Sequence, residues 1–439
     1  MRGNNHEGIM SKVFVIDAAY QPLIPCNPAR ARILLHQQKA AVFRRFPFTI
    51  ILKHTVPDAQ NLPLRLKLDP GSKTTGVGIV DDATGDVLFA AEITHRGEDV
   101  VSALEVRRRV RRSRRQRHTR YREPRFYNRR RRKGWLPPSL ESRLDNILTW
   151  VARLRRLCPV TDISQELTRF DTQALQHPEI EGMEYQRGTL AGYELREYLL
   201  EKWGSRCAYC HITGVPLQIE HIVPRVRGGT DRASNLTLAC KRCNLQKNNQ
   251  TAAEYGHPEV QTQAEQPLKG AAAINTIRWA LYERLQNTGL PIEVGTGGRT
   301  KYNRVLRGFP KTHWLDAVCV GASTAPTLCV KQTRVLLIQA TGHGNRQMCG
   351  TNKFGFPIRH RQRQKVFFGF QTGDMVRASV PQGLKTAGVH VGRVLIRSSG
   401  RFDICTGKGR VAGINYRYCV ILHHDDGYCY QEGNAQQSF

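Results

Sequence analysis

The sequence is short of acid. Asp and Glu total 36 against 67 Lys and Arg, a formal net charge of +31 with an isoelectric point near 10.1. A chain so charged repels itself when folded unless a polyanion screens it, so nucleic acid is the expected partner. Long apolar runs are missing too. None reaches the roughly 18 residues that span a bilayer, which sets aside a membrane as the polyanion. Residues 1–10 are polar and read as a loose tail, with no apolar core of a signal peptide. Internal repeats are absent, which removes solenoids and propellers. The 12 Cys are scattered over 439 residues, unlike a small secreted disulfide scaffold. They point to a reduced, cytoplasmic setting with some of them as metal ligands. What remains is 40% hydrophobic residues, enough for real cores, in a chain long enough for two to four domains.

From residue 11, "VFVIDAAYQPLIPCNPARARILLHQQKAAVF" reads as a strand, a Pro-rich turn and a short helix, a small module over 11–60. "LRLKLDPGSKTTGVGIVDD" and "VLFAAEITHRG" read as β-runs joined by Asp/Gly turns. Then the composition changes. From Arg107 to Lys133 sixteen residues are Arg or Lys and one, Glu123, is acidic. "RRRVRRSRRQRHTRYR" has no Pro or Gly and no apolar stripe, so it cannot pack on a core as an ordinary amphipathic helix does. Such blocks are often solvated arms. We read a helix over 106–133 laid on nucleic acid, with Arg107, Arg108, Arg111, Arg112, Arg114 and Arg115 on phosphates.

The segment around 137–159 reads as an amphipathic helix with Leu140, Leu144, Ile147, Leu148, Val151 and Leu154 on one stripe. "VTDISQEL" reads as a buried strand, "LAGYELREYLLEKWG" as a helix stopped at Gly204, and "AAAINTIRWALYERLQNTG" as a helix aligning Ile274, Ile277, Leu281 and Leu285. "HWLDAVCVGAS" is a helix or a strand end. Beyond about 325, short strands rich in Val, Gly and Arg suggest a small barrel-like β domain with a basic face.

Cys207, Cys210, Cys240 and Cys243 form two Cys-x-x-Cys knuckles, a tetrahedral donor set suited to a structural Zn²⁺. The 29 residues between the knuckles exceed a simple zinc ribbon. Spacing alone fits a plain zinc finger equally well. The insert, "LQIEHIVPRVRGGTDRASNL", adds chemistry. Glu220 can hold a hard cation, and His221 can act as a general base on water. Asn235 and Asn244 can position the base or ligate a metal. Metal-assisted phosphodiester hydrolysis needs that set.

Three further acids stand on apolar elements: Asp69 in "KLDPGSKTTG", Glu166 in "DISQEL", and Asp316 in "HWLD" with His313 three residues before it. Each alone is weak, since a single Asp at a turn is usually turn chemistry.

The Cys207–Lys247 segment resembles an HNH nuclease motif. That resemblance implies a ββα module in which His221 is the base, Glu220 and Asn244 hold the catalytic metal, and Asn235 orients His221. Asp69, Glu166 and Asp316 in that order resemble the RuvC branch of the RNase H-like fold, which implies carboxylate ligands to Mg²⁺ with His313 assisting. The order of parts resembles the transposon-associated IscB family, compact relatives of type II CRISPR effector nucleases. "QPLIPCNPARARILL" looks like its PLMP module, with Ile24 in place of Met, and "QKNN" departs from the Gly expected after Lys247.

The resemblance implies an α/β multidomain fold: an RNase H-like mixed sheet split into three segments, an inserted zinc-bearing ββα HNH module, an Arg-rich bridge helix and a small C-terminal β domain. The expected boundaries are 11–60 for the PLMP-like module, 61–104, 136–204 and 256–325 for the three RuvC-like segments, 105–135 for the bridge helix, 205–255 for the HNH module and 326–439 for the C-terminal domain. It implies an RNA-guided DNA endonuclease of the prokaryotic cytoplasm, monomeric in its RNA complex. The partners are a structured guide RNA and a DNA duplex bearing a short flanking motif. The HNH site would cut the guide-paired strand and the RuvC-like site the displaced strand. The rivals are a homing or restriction endonuclease that reads DNA through protein, a resolvase, and a zinc-stabilised RNA-binding protein with decayed sites.

Overall fold

A computed structural model describes residues 12–57, 62–117, 135–167, 195–196, 199–200, 202–266, 271–330, 333–342, 348–354, 356–360, 362–407 and 409–433. The expected helix at 190–204, the basic run beyond residue 117 and the N-terminal tail lie mostly or wholly outside these. The chain divides into two compact units, one of residues 1–64, 79–161 and 329–439, the other of 65–78 and 162–328. Both are mixed α/β.

The first unit opens with β1 (Val13–Ile16), β2 (Pro22–Cys26), α1 (Pro28–His36), β3 (Ala40–Arg44) and β4 (Thr49–Leu52). Their sheet order is β2-β1-β4-β3. Pro28 starts α1, where its missing N–H costs nothing and its fixed φ suits a helix. Val13, Val15, Ala31, Ile50 and Leu52 form the module's core.

Next come β5 (Leu64–Pro70), β6 (Thr74–Asp81) and β7 (Val87–Thr94), then α2 (Gly97–Gln116) and α3 (Pro138–Leu157). The basic helix therefore starts earlier than expected, at Gly97. Glu98 and Asp99 in its first turn and Arg114 and Arg115 in its last complement the helix dipole. From Arg107 to Arg117 every residue is exposed. α3 buries Leu144, Ile147, Trp150, Val151, Leu154 and Leu157, whereas Leu140 and Leu148 are half-buried.

The second unit continues with β8 (Val160–Glu166), then the hairpin β9 (Leu217–His221) and β10 (Leu236–Cys240). Helices α4 (Lys241–Lys247), α5 (Pro258–Glu265) and α6 (Ala271–Gln286) follow, then β11 (Ile292–Gly295), α7 (Gly297–Leu306) and α8 (His313–Val318). Its strands run in the order β11-β8-β5-β6, with β11 parallel to β8. β5 is buried almost throughout, the pattern of a strand covered on both faces. Gly76 in β6 has no Cβ, which would collide with the His313 carbonyl, so α8 lies directly on the strand. No helix among the described residues is long and apolar enough to cross a membrane.

The C-terminal stretch departs from a single domain over 326–439. β12 (Val335–Ala340) runs parallel to β7, and the last strand, β22 (Tyr428–Gly433), pairs antiparallel with β12. Both ends of the stretch therefore pair beside β7, away from the strands between them. The reason is visible in β12 itself: "VLLIQA" is buried over most of its length and needs neighbours on both edges. Two short pairs intervene, β13 (Cys349–Thr351) with β14 (Pro357–His360) and β15 (Val366–Phe367) with β16 (Phe370–Gln371). Then β17 (Met375–Val380), β18 (Gly388–Leu395), β19 (Arg401–Thr406), β20 (Gly409–Asn415) and β21 (Cys419–His423) form an antiparallel sheet of order β20-β19-β18-β17-β21. β17 alternates exposed and buried, so one face packs a core around Val376, Ala378, Val394, Phe402 and Ile404.

Candidate active sites

The four knuckle sulfurs converge. Sγ of Cys207, Cys210, Cys240 and Cys243 all lie within 4.8 Å of one another, and Cys210 and Cys240 are 3.8 Å apart. Tetrahedral Zn²⁺ with Zn–S bonds of about 2.3 Å sets its sulfurs about 3.8 Å apart, so the donors fit a zinc ion. The Cys243 backbone N–H points at Cys240 and draws that thiol down to about 7, while burial pushes Cys243 up to about 12. Four thiols at this spacing cannot all ionise without a cation.

The hairpin carries the acid–histidine pair. Glu220 pairs across to Thr237 and His221 to Leu236. Neighbours on a strand face opposite ways, and the two side chains separate accordingly. Glu220 is buried under α4. Its Oε1 accepts from Lys247 Nζ at 2.5 Å and its Oε2 from the Tyr209 hydroxyl at 2.6 Å. Lys247 is fully buried and also donates to the His221 carbonyl at 2.9 Å. Burial and the adjacent Glu220 charge push the Tyr209 hydroxyl up, so it stays a donor. Asn244, one turn before Lys247, donates to Gln218 at 2.8 Å.

The expectation that Glu220 and Asn244 grip a cation together is therefore not what these side chains make. In this structure an ammonium stands against Glu220, and Asn244 turns to Gln218. Asn235 also differs from expectation. Its Oδ1 accepts from Val223 N, and its Nδ2 donates to the carbonyls of Val223 and Thr230. It ties the loop rather than touching the His221 ring. A Cβ on Gly229 would strike Val223 O and Asn235 Nδ2, so only glycine permits this tie. The ring's partner is Asp231, whose Oδ1 lies 2.8 Å from His221 Nε2. The His221 bond, then Arg225, hold that carboxyl below its usual range. Sequence reasoning missed Asp231, Tyr209 and Lys247. "GGTD" reads as a turn, and nothing in a linear pattern pairs Lys247 with a carboxylate 27 positions away.

A second cluster lies at the ends of β5 and β8. Asp69 and Glu166 sit near the C-terminal ends of adjacent strands, and Asp316 comes from α8. Burial, then the charges of Glu166 and Asp316, push Asp69 well above the usual carboxylate range. Burial raises Asp316 to about 6 against the pull of Arg304 and Lys311. Arg278 pairs with Glu166 at 2.8 Å and Arg304 with Asp316 at 2.6 Å. Arg278 and Lys311 act on Asp69 as well, but burial and the two neighbouring acids outweigh them. The three carboxylates repel one another, which a divalent cation of the Mg²⁺ class would relieve, although their oxygens are not all within 4.8 Å of one another as the four sulfurs are. His313 opens α8, and its Cε1 would lie 3.7 Å from a Cβ on Gly71, in the turn after Asp69. The three acids thus act on one another, and His313 stands beside the turn that follows Asp69.

In the first unit, Arg109, Val110, Ser113, Arg114 and Arg117 of α2 and its end form a cleft with Asn352 and Lys353. Its cations suit phosphate.

Residues 207–250 match the family model described as HNH endonuclease, and residues 13–188 match that described as RRXRR protein. No curated protein matches the chain by sequence. Among solved structures it is similar to Streptococcus thermophilus Cas9 in complex with the AGAA PAM, at 12% identity and TM-score 0.23, over 59% of this chain and 32% of that one. It is also similar to the type II-C Cas9 of Actinomyces naeslundii, at 19% identity and TM-score 0.16, over 43% of this chain and 28% of that one. The chain spans about a third of the length of these relatives. The chain thus carries an RRXRR segment followed by an HNH endonuclease domain.

Proposed function

We propose that this protein is an RNA-guided DNA endonuclease with two cutting sites. The observation that carries the reading is the presence, in one unit, of two chemically distinct sites: a zinc-stapled hairpin presenting His221, and a separate acid cluster of Asp69, Glu166 and Asp316. A duplex has two strands, and two separate sites can cut one strand each. A protein-read HNH enzyme needs only the first site, and a resolvase only the second.

At the hairpin, His221 accepts a proton from the attacking water. The water oxygen bonds phosphorus, and the bridging oxygen leaves with its electron pair. This site takes the guide-paired strand. At the acid cluster, Mg²⁺ would supply Lewis-acid polarisation of the scissile phosphate, held by Asp69, Glu166 and Asp316. Arg278 and Arg304 hold Glu166 and Asp316 in place, and His313 assists beside the β5–β6 turn. This site takes the displaced strand. The exposed Arg107, Arg108, Arg111, Arg112, Arg114 and Arg115 of α2 cradle the guide's phosphates.

Purification from cells carrying the native locus, followed by sequencing of bound RNA, tests the reading. One structured RNA should co-purify in stoichiometric amount and direct cutting to its complement. Robust site-specific cutting after complete RNase treatment would assign the protein to the protein-read enzymes.

A further inference from the structure

His221 and Asp231 come from opposite ends of the loop between β9 and β10, and the backbone brings them together. His221 closes β9, while Asp231 lies on the return toward β10. The loop between is held by the three Asn235 bonds to Val223 and Thr230, next to Asp231. Asp231 is held in turn: Arg225 donates to Oδ1 through Nε at 2.9 Å and Nη2 at 2.5 Å. Nε2 of His221 meets the same oxygen at 2.8 Å, and Arg225 Nε, which stands 3.4 Å from that nitrogen, is nearer to the carboxylate at 2.9 Å.

We propose that Asp231 is the positioning residue of His221. Asp231 accepts the Nε2–H, which makes Nδ1 the atom that takes the water proton. Arg225 fixes the carboxylate and is itself a positioning residue. A ring nitrogen cannot donate and accept at once in the neutral imidazole, so the bond at one nitrogen assigns the role of the other. In the proposed step the water oxygen bonds phosphorus and its proton moves to Nδ1. The P–O bond to the leaving oxygen breaks, and that oxygen takes a proton from solvent. The imidazolium formed keeps its Nε2 proton against the Asp231 carboxylate. The inference rests on the reading of His221 as general base. Without a catalytic role, Asp231 and Arg225 are an exposed ion pair, a kind that contributes little to anything.

The test is single-turnover cutting of strand-labelled duplex by full-length protein with its co-purified RNA. An Asp69→Ala background leaves only the hairpin site to cut. Asp231→Asn puts an amide where the carboxylate was. That amide donates to Nε2 as readily as it accepts, so the tautomer is no longer enforced. The maximal rate should fall about 100-fold or more, the scale of general-base catalysis, while DNA affinity and zinc content stay unchanged. Nitrogen-15 spectra of labelled histidine should show His221 protonated on Nε2 in the parent and shifted toward the other tautomer in Asp231→Asn. Asp231→Glu should recover part of the rate, and Arg225→Gln, which keeps the carboxylate, should lose only several-fold. A parent-like rate and tautomer in Asp231→Asn, with cutting abolished in His221→Ala, overturns the inference alone. Cutting that survives His221→Ala overturns the underlying reading of the hairpin.

Discussion

Lys247 has no exposure, and its Nζ holds both the buried Glu220 carboxylate and the His221 carbonyl. Replacing it by Met keeps the volume but strands a buried carboxylate, which costs about 3–5 kcal/mol. Lys247→Met should therefore lower the urea midpoint of the HNH module markedly. Glu220→Gln combined with Lys247→Met should recover much of the loss, because neither partner is then charged. An additive double mutant would mean that the two residues do not act as a pair. Asp316 sets a different expectation. Its folded value is raised to about 6, so its neutral form is favoured in the fold. The cost is absent below the ordinary value near 4, grows as pH rises, and is complete above 6. It amounts to the order of 3 kcal/mol. Without divalent cation the protein should therefore lose stability between pH 4 and 6 through this group. Mg²⁺ should stabilise it more at pH 7.5 than at pH 4.5, as thermal melts at the two values would record. Equal Mg²⁺ stabilisation at both would remove the acid cluster as the binding site.

At the scale of elements, α2 is the clearest case of a helix that does not fold for its own packing. Its second half has charge at nearly every position and no buried residue. Every phosphate contact releases counterions, so log affinity falls with log salt by about 0.7–0.9 per contact. Changing Arg111, Arg112, Arg114 and Arg115 to Gln preserves helix propensity and removes four charges. RNA binding should weaken, the salt slope should become shallower by about 3 if all four make contacts, and zinc content should be unchanged. Filter binding across a salt series measures it, and an unchanged slope would return the segment to a solvated face. The hairpin β9–β10 is the opposite kind of element. Its strands are only five residues each, too short to stand alone, and they persist because the knuckles and α4 close over them. Cys240 is both the last residue of β10 and the cap of α4, so a metal there clamps strand to helix.

At the scale of the molecule the two sites draw on different elements of the second unit. Asp69→Ala should leave the guide-paired strand cut, and His221→Ala should leave the displaced strand cut. Each should nick and the double mutant should only bind, as strand-labelled gels would show. Loss of both cuts in either single mutant, at matched RNA loading, would contradict two separable sites. The same comparison separates what was legible in sequence from what was not. The knuckles were legible because a Cys-x-x-Cys spacing constrains its own geometry within a few residues. Strand and helix periods located β8, α3 and α6 for the same local reason. The acids Asp69, Glu166 and Asp316 were each weak in the sequence and gained weight only together, from the resemblance of their order to the RuvC branch, since a lone acid in a turn is usually turn chemistry.

Partner choice was not legible. Glu220 faces Lys247 rather than a site shared with Asn244, Asn235 grips a loop rather than a ring, and Asp231 holds His221. Each depends on which face of a two-residue period meets α4 or the loop return, a matter of a rotation that no spacing records. Nor could local pattern tell that β12 and β22 leave the C-terminal stretch to pair beside β7. A strand's edges are satisfied by whichever chain segment packs there, so chemistry and element type follow from the sequence while pairing is decided by the tertiary structure.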